Sequence, residues 1–130
     1  IERDGERLTI IGIEDPLIGK EPQQMLDEAM ATVDDKSFKI LLSHRPEIFE
    51  TYVENVVDVV FTGHAHGGQV RLPFTDGLFA PGQGWLPTQT SGVHEADDTK
   101  MIVSRGLGNS LLQQRLFNLP EIVVVDLKSQ

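Results

Sequence analysis

Short apolar runs and longer helical patterns alternate along the first half of the chain. Residues 8–13 ("LTIIGI"), 37–44 ("SFKILLSH") and 56–62 ("VVDVVFT") are rich in branched apolar side chains, as is typical of buried strands. Helices are predicted for the intervening "EPQQMLDEAMATV" and "RPEIFETYVEN", each of which has a proline near its first turn. This order predicts parallel strands joined by a right-handed helical crossover.

The second half shows strand and turn patterns without a further helix. "GGQVRLP" is followed by the loop "TDGLFAPGQGWLPTQ", by two runs around a turn at 95–99, and by "PEIVVVDL", which is predicted to be a strand. Near the start, Asp4 and Gly5 form a hairpin-turn signal. The pattern therefore predicts an α/β fold, a layered sandwich with an α/β first half and a β-rich second half.

Composition limits the classes of protein to which the chain can belong. With 130 residues, the chain is predicted to be a single domain, 1–130. The net charge of -9 argues against a general binder of nucleic-acid backbones, and the absence of cysteine excludes thiolate metal ligands. No apolar run is long enough to cross a bilayer. The chain starts at Ile1 and is expected to come from a longer protein, which leaves localisation open between the cytoplasm and a membrane reached through an upstream segment.

Three of the four histidines follow predicted strands. His44 ends the run at 37–44, directly after "KILLS", and His64 follows the run at 56–62, so both are expected at the carboxyl edge of a parallel sheet, where one ion can bind them together. His66 would share a face with His64 if the backbone between them is extended. The alternative is a glycine-rich polar turn without a ligand. Asp15 is either a nearby oxygen ligand or part of a strand-ending turn, and His94 is predicted to be a surface residue.

Arg105 is the other candidate for binding chemistry. It lies in "SRGLGNS", where glycines could cradle a phosphate, although a sharp turn after a strand is the favoured interpretation. The chain contains no Walker motif, no "GxSxG" elbow and no cysteine nucleophile.

Three stretches in sequence resemble the C-terminal half of a calcineurin-like metallophosphoesterase of the bacterial YkuE- and YaeI-like branch: "LLSHRPE", "VVDVVFTGHAHGGQVRLP" and "SRGLGNSLLQQRLFNLPEIVVVDL". The resemblance implies part of a four-layer α/β/β/α sandwich that holds a dinuclear metal centre. His44 and His64 would bind one metal and His66 the other. The two divalent ions could be Mn, Fe, Zn, Co or Ni, and they would activate water for attack on a phosphate ester.

The family's Asp-x-His, Gly-Asp and Gly-Asn-His motifs are absent from this chain. The resemblance thus places the catalytic histidine and the remaining ligands upstream. One hypothesis is that the parent protein is a hydrolase of phosphomonoesters or diesters, and that this chain supplies half of the site and is inactive alone. The other is a catalytically silent binding or assembly module with at most a weak metal site. Expected partners are the phosphate-ester substrate, the N-terminal half and, for the isolated chain, a second copy.

Overall fold

A computed structural model describes residues 1–3, 5–16, 19–34, 36–109 and 114–128. Its elements in chain order are β1 (Glu2–Arg3), β2 (Glu6–Gly12), α1 (Pro22–Met30), β3 (Phe38–Leu42), α2 (Phe49–Glu54), β4 (Val59–Thr62), β5 (Phe79–Ala80), β6 (Gly84–Trp85), β7 (Gly92–Ala96) and β8 (Thr99–Val103). Short 3-10 turns cover Pro46–Ile48 and His66–Gly68. The mixed α/β prediction is confirmed for these residues.

One sheet of six strands organises the fold, in the order β1-β2-β3-β4-β8-β7. The strands β2, β3, β4 and β8 are mutually parallel, whereas β1 and β7 each add an antiparallel edge. The crossover from β3 to β4 runs through α2, as the apolar pattern predicts. Two antiparallel pairs, β1 with β2 and β7 with β8, also match the predicted turns, although Asp4 itself lies outside the described residues.

The helices cover one face of this sheet. Leu26 and Tyr52 are fully buried against Leu41, Val60 and Met101 of the central strands. Met25 is buried and Met30 packs against the same cluster, so the predicted apolar side of α1 does form core. The strands β3 and β4 are stabilised here because every second side chain along them points towards the helices and packs against them.

The opposite face of the sheet is also apolar, and we call it the outer face: Leu8, Ile10, Phe38, Ile40, Leu42, Val59, Phe61 and Ile102. Ile40 is only 7% exposed, but Ile10 is 54% and Leu42 is 48% exposed. A parallel sheet normally has both faces covered. Among the described residues, part of the outer face is left uncovered, at Ile10 and Leu42 above all.

The predicted strand "PEIVVVDL" is wrong for this structure. No strand covers residues 120–127, and Ile122 and Val124 are 77% and 82% exposed. A strand needs a backbone partner, and both sides of β8 are already occupied by β4 and β7. The predicted run "GGQVRLP" is likewise reduced to one bridge between Val70 and Leu116. None of the helices within the described ranges has the length and apolar character to cross a membrane.

Candidate metal centre

The ends of β3 and β4 bring His44 and His64 together. Ser43 N–H donates to the Phe61 carbonyl at 3.1 Å, and Gly63 N–H donates to the His44 carbonyl at 3.3 Å. These bonds continue the parallel ladder one step past each strand, so the two histidines leave the same sheet edge side by side. The predicted convergence of His44 and His64 is what the structure shows.

Two ring nitrogens of these histidines face each other. His44 Nε2 and His64 Nδ1 are 2.9 Å apart, and the ring centroids are 4.7 Å apart at an interplanar angle of 69°. A carboxylate oxygen of Asp15 lies 4.0 Å from His44 Nε2. Each of the three residues offers one ligand atom, and these atoms lie within 4.8 Å of one another. Asp15 therefore lies close to the histidine pair, as its interpretation as a nearby oxygen ligand requires.

This donor set fits a divalent ion. Ligands about 2.1 Å from one tetrahedral ion lie roughly 3.4 Å from each other, a value between the 2.9 Å and 4.0 Å found here. Burial lowers the pKa of the His64 imidazole, and the neighbouring Arg45 charge lowers it further. The neutral imidazole is the form that ligates metals. The other ring nitrogen of His64, Nε2, faces away from this group and is buried without a hydrogen-bond partner among the described residues.

Arg45 holds the carboxylate of Asp15 in place. Its Nε donates to Asp15 Oδ1 at 2.8 Å and its Nη2 to Asp15 Oδ2 at 3.4 Å, while Nη1 donates to Glu47 Oε1 at 3.0 Å. Arg45 is only 9% exposed. A charged partner of this kind fixes the direction of a ligating carboxylate. The guanidinium therefore orients Asp15 towards the histidine pair.

Tyr52 fixes the backbone on both sides of His44. The fully buried phenol donates to the Arg45 carbonyl at 2.6 Å. Its oxygen also lies 2.6 Å from Ser43 Oγ, and because the phenol proton is used on Arg45, the serine hydroxyl is the donor there. Burial raises the pKa of Tyr52, so it stays protonated and able to donate. A side chain of α2 thus positions a histidine of the sheet edge.

His66 lies away from this ligand group. The backbone between His64 and His66 is not extended, since their φ angles are 56° and 47° and Ala65 between them is helical, so the condition for a shared face is not met. Side chains two residues apart share a face only on extended backbone. In the described part of the chain, the group of converging ligand atoms contains Asp15, His44 and His64 but not His66. The Nδ1 atom of His66 instead lies 3.4 Å from Arg115 Nη2.

Several known proteins are similar to this chain in sequence. The chain is 32% identical over 126 residues to the uncharacterized metallophosphoesterase YkuE of Bacillus subtilis (strain 168), covering 97% of this chain and 42% of that protein. It is 34% identical over 107 residues to an uncharacterized metallophosphoesterase of Aquifex aeolicus (strain VF5), covering 79% of this chain and 38% of that protein. The chain resembles the C-terminal half of metallophosphoesterases.

A third relative, the phosphodiesterase YaeI of Escherichia coli (strain K12), is 30% identical over 89 residues, which are 68% of this chain and 32% of that protein. The chain therefore spans less than half the length of these three relatives. No protein-family profile matches the chain. No solved structure matches it either.

In this metallophosphoesterase-like chain, Asn118 clamps the turn that carries His66. Asn118 is 1% exposed, and its Nδ2 donates to the His66 carbonyl at 2.7 Å and to the Gln69 carbonyl at 3.1 Å. A Cβ on Gly67 would collide with the Asn118 amide, and a Cβ on Gly68 would lie 2.5 Å from Gly77 Cα. Both glycines have positive φ angles, of 65° and 74°. The glycines therefore serve close backbone packing around the histidine turn.

Arg105 and His94, which the sequence also singled out, and the exposed Trp85 have structural partners. Arg105, the weak phosphate candidate, donates from Nε and Nη2 to Glu121 Oε2 at 2.8 and 2.5 Å. Ser110 at the end of its glycine loop lies outside the described residues. His94 lies on β7, with Nε2 3.2 Å from the Ser91 carbonyl. Trp85 stacks edge-on against Phe79 across the β5–β6 pair and is 77% exposed.

Sequence reasoning missed the residues that position the histidines. Arg45 is adjacent to His44, and a basic residue beside a predicted ligand is a signal that could have been used. Tyr52 and Asn118 gave no local signal, because their contacts join residues 7–9 and 49–52 positions apart.

Proposed function

We propose that this chain is the C-terminal part of a metal-dependent phosphoesterase domain, and that Asp15, His44 and His64 bind one divalent ion in it. The observation that carries the proposal is the pair of imidazoles 2.9 Å apart at the carboxyl edge of a parallel sheet. Its relatives YkuE and YaeI are named a metallophosphoesterase and a phosphodiesterase. The substrates proposed for the whole protein are phosphomonoesters or phosphodiesters.

The chain's own residues prepare this site in a definite way. Arg45 aims the Asp15 carboxylate, Tyr52 fixes the backbone around His44, and the low pKa of His64 keeps its ring neutral. A divalent ion bound there would polarise a phosphoryl oxygen and acidify a water. His66 is proposed as a ligand of a second ion. The other ligands of that ion would come from the part of the parent protein that corresponds to the region of the relatives not covered by this chain.

The outer face is proposed to receive that other part of the enzyme. Ile10, Phe38 and Leu42 expose apolar surface next to the buried cluster of Ile40, Val59 and Ile102. A second layer packed there would give the sheet two covered faces, as parallel sheets require. In isolation the same apolar face is expected to drive self-association.

The alternative function, a catalytically silent binding module, has one observation in its favour. The ligand group in the described residues contains a single carboxylate, Asp15, and that carboxylate is already bonded to Arg45. A two-ion hydrolytic centre normally uses a bridging carboxylate in addition to terminal ligands. Under this alternative, the site would bind one ion weakly and the parent protein would not hydrolyse phosphate esters.

Hydrolysis by the full-length parent distinguishes the two functions. We expect the Mn²⁺-loaded parent to cleave bis(p-nitrophenyl) phosphate or p-nitrophenyl phosphate, and His64→Ala to lower kcat/KM by roughly 100-fold or more. His94→Ala is the matched control, because it removes an imidazole outside the ligand group and should leave the rate unchanged. A parent that binds the metal but cleaves neither ester, or equal rates in the two variants, would contradict the proposal.

A further inference from the structure

Arg115 differs in its ion pairing from the other arginines whose side chains the structure describes. Those four each pair with a carboxylate: Arg7 with Asp34, Arg45 with Asp15, Arg71 with Asp76 and Arg105 with Glu121. Arg115 pairs with no carboxylate in the described part of the chain. Its guanidinium donates to neutral backbone oxygens instead, at 2.9 Å to Arg105, at 3.3 Å to Gly106, and also to Gly108. Its positive charge is therefore held in place but not neutralised.

This charge lies beside the histidine turn. Arg115 Nη2 is 3.4 Å from His66 Nδ1, and the residue is only partly exposed. Its Nε–H is buried without a hydrogen-bond partner among the described groups. A buried donor left unpaired costs free energy unless a ligand or water satisfies it. In a chain with a net charge of -9, an uncompensated guanidinium is a local attraction for an anion.

Arg105, which the sequence suggests as a phosphate residue, is less suited to that role. Two of its nitrogens donate to Glu121 Oε2, and its backbone N–H donates to Glu121 Oε1 at 2.9 Å. The carboxylate both neutralises the guanidinium and occupies its donors. Arg105 then contributes to the anion site through its backbone, because its carbonyl accepts a bond from Arg115.

We propose that Arg115 is a phosphate-binding residue, which holds a non-bridging oxygen of a phosphate ester at the His66 side of the site. Its role is to bind and orient the anion, and the carbonyls of Arg105, Gly106 and Gly108 hold the guanidinium in that position. The inference rests on the proposed function for its choice of substrate, but the anion site itself requires no metal.

Inorganic phosphate, titrated into the 130-residue chain in the presence of a chelator, tests the proposal. The readout is the Nε–H resonance of each arginine in a nitrogen-labelled sample. Phosphate should shift the Arg115 resonance saturably and leave that of Arg7 unmoved. We expect Arg115→Gln to weaken phosphate binding by about tenfold or more and Arg115→Lys by less, because lysine keeps the charge. Arg7→Gln is the matched control, since it removes the same charge from an exposed pair.

Several results would overturn this inference. They are the absence of a saturable shift at Arg115, a shift at Arg105 instead, or equal phosphate affinity in the Arg115→Gln and Arg7→Gln variants. If Arg115→Gln does not fold, the titration of the unmodified chain decides alone. Because the sample is free of metal, His64→Ala should bind phosphate as the unmodified chain does. Loss of metal binding and loss of phosphate binding are thus separate outcomes. A failure of the proposed phosphoesterase function can therefore be distinguished from a failure of the proposed phosphate site at Arg115.

Discussion

Replacing Arg45 by methionine removes the charge that holds two carboxylates beside the histidine pair. Arg45 is 9% exposed and contacts Asp15 at 2.8 and 3.4 Å and Glu47 at 3.0 Å. Methionine keeps much of the apolar stem but leaves the two carboxylates without this cation. One ion pair at 4 Å is worth about 4 kcal/mol at an effective dielectric of 20. Removing one member of a buried pair costs about 3–5 kcal/mol.

We therefore expect Arg45→Met to lower the free energy of unfolding by about 3–5 kcal/mol, measured by urea denaturation and far-UV circular dichroism. Metal affinity should fall by about tenfold or more, because Asp15 loses the partner that orients it. Arg7→Met is the control: its pair with Asp34 is 53% and 46% exposed, and such pairs contribute about 1 kcal/mol or less. Equal losses of stability in the two variants, together with unchanged metal affinity in Arg45→Met, would refute the role assigned to Arg45.

Three further predictions concern the histidine turn, its supporting ion pair and the outer face. Asn118→Ala should destabilise the chain by about 2–3 kcal/mol in the same assay, because the carbonyls of His66 and Gln69 lose their buried donor; an unchanged urea midpoint would exclude the clamp. Hydrogen bonding from Arg105 lowers the pKa of Glu121, so at pH values above the ordinary carboxyl pKa near 4.5 the Glu121→Gln variant should lose about 1–2 kcal/mol of free energy of unfolding. This difference from the unmodified chain should vanish as the pH falls through the lowered pKa of Glu121, and a difference that does not depend on pH would contradict the prediction. Ile10→Lys should reduce self-association of the isolated chain in light scattering, and a strictly monomeric unmodified chain would contradict the expectation.

The sequence was sufficient to predict the central sheet because its signals there are local. Apolar runs at 37–44 and 56–62 flank a segment with Pro46 in its first turn, and this order has essentially one parallel arrangement. The juxtaposition of His44 and His64 follows from that arrangement alone. Residues that directly follow adjacent parallel strands necessarily lie next to each other at the same edge of the sheet.

The position of His66 could not be predicted, because it depends on the sign of backbone angles. His64 and His66 both adopt positive φ, which non-glycine residues rarely do. Such conformations cost of order 1–3 kcal/mol each and persist only where surrounding contacts hold them. Here the Asn118 amide, about fifty positions away in the chain, supplies two of those contacts.

The final apolar run shows the opposite failure, in which a clear local signal lacks a partner. "EIVVVDL" has the composition of a strand, but in the described structure it pairs with no strand, and both places beside β8 are taken by β4 and β7. The local sequence pattern likewise does not predict the long-range ion pairs, in which Arg45 bonds to Asp15 30 positions away and Arg105 bonds to Glu121 16 positions away. Local propensity determines which residues can form an element, and tertiary partners determine whether they do.

A crystal of the chain soaked with Zn²⁺, with diffraction recorded at the zinc absorption edge, would show whether Asp15, His44 and His64 bind an ion. We expect an anomalous peak about 2.1 Å from both His44 Nε2 and His64 Nδ1, with the Asp15 carboxylate completing the protein ligands. The peak should be absent from His64→Ala and retained in His94→Ala. An unmodified chain with no zinc between His44 and His64, or with zinc bound only at His94, would contradict it.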